Sequence, residues 1–279
     1  MRIGDVVIGG SAPLALISGL NVIESEEAAL ECALTLQNLA RRHGTPLVFK
    51  ASFDKANRSS HESYRGPGLE QGLIMLDRVR SETGLPILTD VHEPGQAQPV
   101  AEVCEGLQIP AFLSRQTDLV SACAKTGRAV NFKKGQFVAP ADMQLAVEKA
   151  RAFGARDVMV TERGTSFGYH ELVVDMRALV EMRRFAPVCF DATHAVQQPG
   201  AGEGQSSGQR EHVAPLARAA VAVGIDALFV EVHSEPDRAP CDARCQITTE
   251  SLDRLLGEVL ALRQAAVEST AELSSPRDA

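Results

Sequence analysis

In this chain of 279 residues, ionisable and hydroxyl side chains recur at one kind of place, directly after a short apolar run. Lys50 and Ser52 follow Leu47-Val48-Phe49, Asp90 follows Ile87-Leu88-Thr89, and Lys133 with Lys134 follow Val130-Asn131-Phe132. Glu162 and Arg163 follow Val158 to Thr161, Asp191 and His194 follow Val188-Cys189-Phe190, and Glu231 and His233 flank Val232. One charged residue after a strand is ordinarily a solvated loop residue, and it is the repetition that argues for a shared site. The cations are Lys50, Lys55, Arg58, Arg115, Lys133 and Arg163. Two unit charges ~4 Å apart at an effective dielectric of ~20 interact by ~4 kcal/mol, so gathering these cations is costly unless anions bind among them. Arginine grips phosphate or carboxylate in two-pronged fashion and lysine supplies a compact charge, which suits ligands carrying several anionic groups. Between Lys55 and Ser60, the Asn57 amide and two hydroxyls stand beside Arg58. That is a phosphate cradle, although a weak motif by itself.

Such residues converge only if the runs that precede them are parallel strands closing on one another. The runs are Leu14 to Gly19, Pro46 to Lys50, Pro86 to Asp90, Leu107 to Phe112, Ala129 to Lys133, Asp157 to Thr161, Pro187 to Phe190 and Ala227 to Val232. Each is followed by a longer helical pattern, the mark of a parallel sheet with crossover helices, and eight strands suit a closed (β/α)8 TIM barrel. In that fold chemistry gathers at the C-terminal ends of the strands, where these polar residues stand. Helix boundaries are read at Ser25 and Gly44, at Thr117 and Gly127, and at Thr249. Residues 1–10, alternating around Gly4 and Asp5, are expected to form an N-terminal β-hairpin closing the barrel's bottom. The whole of 1–279 reads as one catalytic domain, with the polar Ser269 to Ala279 as a frayed tail and Gly200 to Gly208 as a flexible lid.

Composition excludes other classes. A formal charge of −8 without a Lys/Arg block argues against a nucleic-acid surface. No apolar stretch approaches the roughly 20 residues that span a bilayer, and no leader pattern opens the chain, so a cytoplasmic protein off the membrane is expected. Cys32, Cys104, Cys123, Cys189, Cys241 and Cys245 are scattered and read as buried thiols.

The segments Lys50-Ala-Ser-Phe-Asp-Lys-Ala-Asn-Arg-Ser-Ser60, Tyr64-Arg-Gly-Pro-Gly68 and Thr89-Asp-Val-His-Glu-Pro94 resemble those of the 3-deoxy-D-manno-octulosonate 8-phosphate synthase family. The similarity continues through Ile109 to Asp118, Asn131 to Phe137, Glu162 to Gly164 and Phe190 to His194, covering nearly the whole chain. It implies a homotetrameric barrel transferase that joins phosphoenolpyruvate to arabinose 5-phosphate and releases phosphate, on the route to the inner-core sugar (Kdo) of lipopolysaccharide. By the same resemblance phosphoenolpyruvate is expected against Lys50, Ser52, Lys55, Gln108, Lys133 and Arg163. The sugar phosphate falls to Arg58 and Ser59, its hydroxyls or aldehyde to Asn57 and Asp90, and Arg115 reaches the same phosphate from a neighbouring subunit.

The family divides into enzymes that need a divalent metal and enzymes that do not. Metal users place a Cys after strand 1, a His after strand 7, a Glu at strand 8 and an Asp in the next loop. His194, Glu231 and Asp242 match the last three, but Asn21 stands at the thiolate's position. An amide is a poor transition-metal ligand beside a thiolate, so a metal-independent enzyme without cofactors is expected, with Asn21 and His194 positioning water. Lys50 and Asp242 complete the expected catalytic set. The loop Cys241-Asp-Ala-Arg-Cys245 departs from the Gly-Pro-Ser of metal-independent relatives; Cys245 is a second soft donor there, read as an ordinary thiol. Rival readings are a sister synthase using erythrose 4-phosphate or a mannosamine derivative, a noncatalytic phosphosugar-binding barrel, and a Schiff-base aldolase using Lys50 or Lys133.

Overall fold

The computed structural model describes residues 1–58, 60–202 and 205–274. Among them eight parallel strands close into one barrel: β1 Ala15–Val22, β2 Leu47–Ser52, β3 Ile87–Asp90, β4 Gly106–Ile109, β5 Ala129–Lys133, β6 Val158–Glu162, β7 Val188–Asp191 and β8 Ala227–Glu231. They pair in chain order, and β8 closes the ring on β1 through Ala227↔Ala15 to Glu231↔Gly19. Every residue of all eight strands is buried, which is why they read as continuous apolar runs rather than as alternating ones. The helices between them are α1 Glu26–His43, α2 Leu69–Thr83, α3 Ala97–Val103, α4 Thr117–Lys125, α5 Met143–Ala152, α6 Met176–Met182 and α7 Val213–Val223, with α8 Thr249–Ser274 after β8.

Local chemistry sets these boundaries. In α1 the Ser25 hydroxyl accepts the Ala28 N–H at 3.1 Å, and Gly44 closes the helix in the left-handed region at φ 62°. The inward stripe Ala29, Ala33, Leu36, Leu39 and Ala40 packs on the barrel, each leucine contributing about 2 kcal/mol of apolar burial. Thr117 and Thr249, expected to stand just before their helices, are instead the first helical residues, and at α8 it is the Thr248 hydroxyl that accepts the Ser251 N–H, at 3.2 Å. The helix continues through Ser274, so the expected frayed tail overlaps it from Ser269, and residues 275–279 lie outside the described part.

Arg2–Ile3 pairs antiparallel with Val6–Val7, forming the expected N-terminal hairpin. Its Ile3 and Ile8, both fully buried, join Ile17, Val48, Leu88, Met159, Cys189 and Phe229 in a cluster of their own inside the barrel. An apolar plug therefore fills the bottom, and the polar interior is confined to the mouth.

Two strand ends differ from the sequence expectation in ways that shape that mouth. β4 stops at Ile109 rather than Phe112, because Pro110 has no N–H to continue the ladder; Ala111–Leu113 turns instead as a 3-10 helix and leaves Phe112 53% exposed. β1 runs past Gly19 to Val22, and its register with β2 slips between Leu20 and Val22, leaving Asn21 unpaired as in a β-bulge. Residues Gln197–Gly202 and Gln205–Gly208 pair antiparallel, so the segment expected to be a flexible lid is a β-hairpin over its described length.

Candidate active site

The strand ends surround a cleft of about 910 Å³. Lys50, Lys55, Asn57, Arg58, Asp90, Gln108, Lys133, Arg163, His194 and Asp242 all line it, so most of the sequence-expected site is brought together. Asn21, Ser52 and Glu231 lie just beneath, buried and joined by hydrogen bonds to the lining residues. Arg115 is not among the lining residues; it is exposed on the segment before α4. Ser59 lies outside the described residues. His233 pairs instead with Glu24, at 2.9 Å, away from the cleft.

Three lysines meet three carboxylates. The Lys50 ammonium lies 2.6 Å from Glu231 Oε1, Lys55 lies 3.9 Å from Asp90 Oδ2, and Lys133 donates to Asp191 Oδ2. Lys50 and Lys133 also stand 5.5 and 3.5 Å from the centre of the Phe229 ring, whose π face favours cations. The expectation that these cations gather at a cost only bound anions relieve is thus corrected for the lysines, since these carboxylates offset most of their charge. Arg58 and Arg163 are different. Arg58 donates to the Pro240 carbonyl at 3.1 Å and Arg163 to Gln197 Oε1 at 2.8 Å, and among the described residues neither has a carboxylate within ion-pairing distance. Arg163 Nη1 is buried without a partner. Such an orphaned donor costs on the order of 1–3 kcal/mol or more unless a ligand satisfies it. The exposed Arg244 on the rim is a further cation, one that sequence reading did not single out.

The carboxylates are held ionised. Burial alone would raise Glu231, but Lys50, His194 and Lys55 around it bring it down to about 2. Burial would likewise raise Asp90 and Asp191; Lys50 and Lys55 hold the first, and His194 and Lys133 the second, far below the usual carboxylate range. Asp242 is lowered too, burial being outweighed by His194 and Lys55.

A second cluster joins β1, β7, β8 and the loop after β8. Asp191 Oδ2 takes both Lys133 and His194 Nδ1, the latter at 2.7 Å, which fixes the imidazole and turns Nε2 toward Glu231 at 3.5 Å and Asp242 at 3.8 Å. Asn21 Nδ2 donates to Glu231 Oε2 at 2.5 Å and to Asp242 Oδ2 at 3.1 Å. Gln197 Nε2 donates to the other Asp242 oxygen at 2.6 Å, so that Gln197 bridges Asp242 and Arg163.

A profile described as the DAHP synthetase I family matches residues 1–266, more than nine-tenths of the chain. The chain belongs to the DAHP synthetase I family. Within this family it is similar to proteins named 2-dehydro-3-deoxyphosphooctonate aldolase. The one from Syntrophotalea carbinolica is 53% identical over 263 residues, 94% of this chain and 95% of the relative. That from Geobacter metallireducens is 54% identical over 263 residues, covering 94% and 97% of the two chains. A Synechococcus relative is 54% identical over 269 residues, covering 96% and 95%.

As a DAHP synthetase I family member the chain can be tested for the metal that part of the family uses. The donors do not fit it. The position beside Glu231 and Asp242 is taken by the Asn21 amide, whose N–H groups point at both carboxylates and have no lone pair to give a cation. Cys245 does not substitute for the missing thiolate. Its thiol is fully buried, donates weakly to the Ser207 carbonyl at 3.8 Å, and is pushed upward by burial and by Asp242, away from the thiolate a metal needs. Cys241 is likewise pushed up to about 12 by burial and Asp242.

Asp191 and Gln197 are candidate site residues that sequence reading undervalued in this family member. Asp191 was visible as a strand-end residue, but its central place between Lys133 and His194 exists only once β5 and β7 are in one ring. Gln197 gives no sequence signal, since it opens a Gln/Gly/Ser-rich stretch that resembles a lid.

Proposed function

We infer that the chain condenses phosphoenolpyruvate with D-arabinose 5-phosphate and water, giving 3-deoxy-D-manno-octulosonate 8-phosphate and phosphate, as a cytoplasmic transferase of lipopolysaccharide (Kdo) biosynthesis. The names of relatives more than half identical over nearly all of the chain support the reaction. The observation that carries it physically is the pair of guanidiniums without carboxylate partners. Arg58 follows β2 and Arg163 follows β6, four strands apart in a ring of eight, and so on opposite sides of the mouth. Two separate anionic substrates, one on each side, supply what these groups lack.

In this reading phosphoenolpyruvate lies against Lys50, Lys55, Gln108, Lys133 and Arg163, with Ser52 acting from beneath through Asp90. The sugar phosphate meets Arg58 and Ser59, with Asn57 and Asp90 toward its hydroxyls and aldehyde. C3 of the enol phosphate attacks the aldehyde carbon, and the lysines stabilise the developing oxyanion and the phosphate. Water adds at C2, and the resulting hemiketal phosphate collapses to the ketone, the C–O bond breaking to release phosphate. Asn21 Oδ1 is a buried acceptor without a partner, suited to orient that water, with His194 and Asp242 taking part in its deprotonation. No step is assigned to a metal, because the Asn21 amide faces the carboxylates that would bind one.

The oligomer is part of this proposal. Arg115 is exposed near the exposed Phe112, and Phe137 on the neighbouring rim loop is 62% exposed. A homotetramer that covers these aromatics gives Arg115 a neighbouring sugar-phosphate site to reach.

Phosphate release with phosphoenolpyruvate and arabinose 5-phosphate, erythrose 4-phosphate or N-acetylmannosamine in parallel tests the substrate. Release with arabinose 5-phosphate at a kcat/KM at least a hundredfold above the others is expected. Preference for another aldose would move the chain to a sister reaction, and binding without release would make it a phosphosugar-binding barrel. Borohydride trapping of either lysine with substrate would replace this chemistry by a Schiff base; no trapping is expected, since both ammonium groups are engaged with carboxylates, Lys50 with Glu231 and Lys133 with Asp191.

A further inference from the structure

Beneath the phosphoenolpyruvate side of the cleft, polar side chains from five successive strands form one chain of hydrogen bonds. On β6 the Thr161 hydroxyl donates to Asn131 Oδ1 on β5 at 2.7 Å. Asn131 Nδ2 donates to Gln108 Oε1 on β4 at 2.9 Å, and Gln108 Nε2 donates to Asp90 Oδ1 on β3. From the other side Ser52 on β2 donates to Asp90 Oδ2 at 2.7 Å. Asp90, Gln108 and Asn131 are register partners, Asp90↔Gln108 and Gln108↔Asn131, so they stand side by side on the inward face. Asn131 is 1% exposed and Thr161 fully buried, and neither lines the cleft.

The direction of this chain is fixed from one end. Asp90, held ionised by Lys50 and Lys55, can only accept. Gln108 must therefore turn its NH2 toward Asp90, which aims its carbonyl at β5. Only a donor can meet that carbonyl, so Asn131 must present its own NH2 there and turn its carbonyl to β6, where the Thr161 hydroxyl closes the chain. Reversing either amide sets two oxygens against each other in a buried layer, with the loss of at least one hydrogen bond.

We propose that Asn131 and Thr161 are positioning residues that lock the Gln108 amide with its carbonyl turned away from the cleft and its free N–H turned into it, so that this point of the site accepts an anionic oxygen of the enolpyruvyl substrate. The Gln108 carbonyl is consumed by Asn131, and one N–H is consumed by Asp90. The remaining N–H belongs to a side chain that lines the cleft. A layer of neutral polar residues behind the site thus sets the polarity of a residue in front of it, without touching substrate. The proposal rests on the assignment of Gln108 to phosphoenolpyruvate.

Thr161→Val and Thr161→Ser separate the hydroxyl from the shape, and Asn131→Asp removes the donor that faces Gln108. Steady-state kinetics with each, alone and in a Gln108→Ala background, give the test. Thr161→Val should raise the KM for phosphoenolpyruvate several-fold and Asn131→Asp about tenfold or more, the loss of one hydrogen bond to a charged ligand, with kcat changed less. Thr161→Ser should stay within twofold of the parent, and in the Gln108→Ala background the Thr161→Val effect should shrink below twofold. If Thr161→Val performs as well as Thr161→Ser, or if its effect multiplies undiminished with that of Gln108→Ala, the relay does not act through Gln108 and the proposal is wrong. If Gln108→Ala itself leaves the KM for phosphoenolpyruvate unchanged, the site assignment fails and the relay falls with it. The isosteric Thr161→Val keeps the test decisive should Asn131→Asp not fold.

Discussion

Asp191 is the residue on which the two halves of the mouth turn. One of its oxygens takes the Lys133 ammonium and the His194 imidazole together, while the other accepts the His194 backbone N–H at 2.9 Å. Through it, the Lys133 ammonium and the His194 imidazole share one buried carboxylate. Asp191→Asn should therefore do two things at once. It should lower kcat for phosphate release by about 100-fold or more, the usual range for a misoriented acid or base. It should also lower the melting temperature, because breaking a buried ion pair costs about 3–5 kcal/mol. A variant with kcat within threefold of the parent would show that His194 needs no orienting carboxylate. The candidate residues themselves were legible in sequence to an uneven degree. Lys50, Asp90, Lys133 and Arg163 announce themselves by following apolar runs. Gln108 and Asn131 do not, because a lone amide inside an apolar strand reads as structure, and the donor that each needs lies on the next strand of the ring. The pairing of each lysine with a carboxylate was equally hidden, which is why the sequence suggested a mouth more basic than it is.

At the scale of elements, the meeting of β1 and β2 places Asn21 and Lys50 in the site. Gly19 is opposite Lys50 in register, and a Cβ there would meet the Lys50 carbonyl oxygen at 2.0 Å. No rotamer relieves a clash with backbone, so Gly19→Ala must part the two strands where the Lys50–Glu231 ion pair and the Asn21 bulge lie. Loss of at least tenfold in kcat together with a lower melting temperature is expected. Ser25→Ala is the matched control: it removes the cap of α1, should cost about 1 kcal/mol of stability, and should leave kcat unchanged. Parent-like activity in Gly19→Ala would mean that the close approach does not hold the site. Element type and order were readable because each buried strand is short and apolar and each helix carries a polar face. Ends were less so. Phe112 belongs to no strand because of Pro110, and the 197–208 hairpin was masked by a Gly/Ser/Gln composition that also describes loops. Its pairing, Gln197↔Gly208, depends on no side-chain pattern at all.

For the whole molecule, the barrel gathers the ionisable side chains of its strand ends in one layer at the mouth and fills the bottom of its interior with the hairpin plug. That segregation gives a pH dependence with a definite sign. Glu231 is lowered from its usual 4.5 to about 2, and Asp90, Asp191 and Asp242 are lowered with it. Groups depressed in the folded state contribute stability that is complete above their ordinary values and is lost as pH falls toward their folded ones. The melting temperature should therefore hold steady down to about pH 4.5 and then fall steeply toward pH 2. A flat profile across that window would mean that the buried carboxylates are not held by their lysines. The count of apolar runs was enough to suggest a closed barrel, and the matching of polar residues to strand ends enough to say which end is used. The proposed oligomer was not legible beyond the family resemblance, since Arg115 and Phe112 are exposed residues that nothing in one sequence marks as an interface.

The most direct test of the account is phosphate release by metal-analysed, chelator-treated protein given phosphoenolpyruvate and arabinose 5-phosphate. A mouth in which the Asn21 amide faces Glu231 and Asp242 predicts full activity in protein free of divalent metal, and no gain when metal is returned. Activity lost on chelation and recovered only with added metal would contradict the role given to Asn21 while leaving the reaction standing. No release under either condition would contradict the reaction itself.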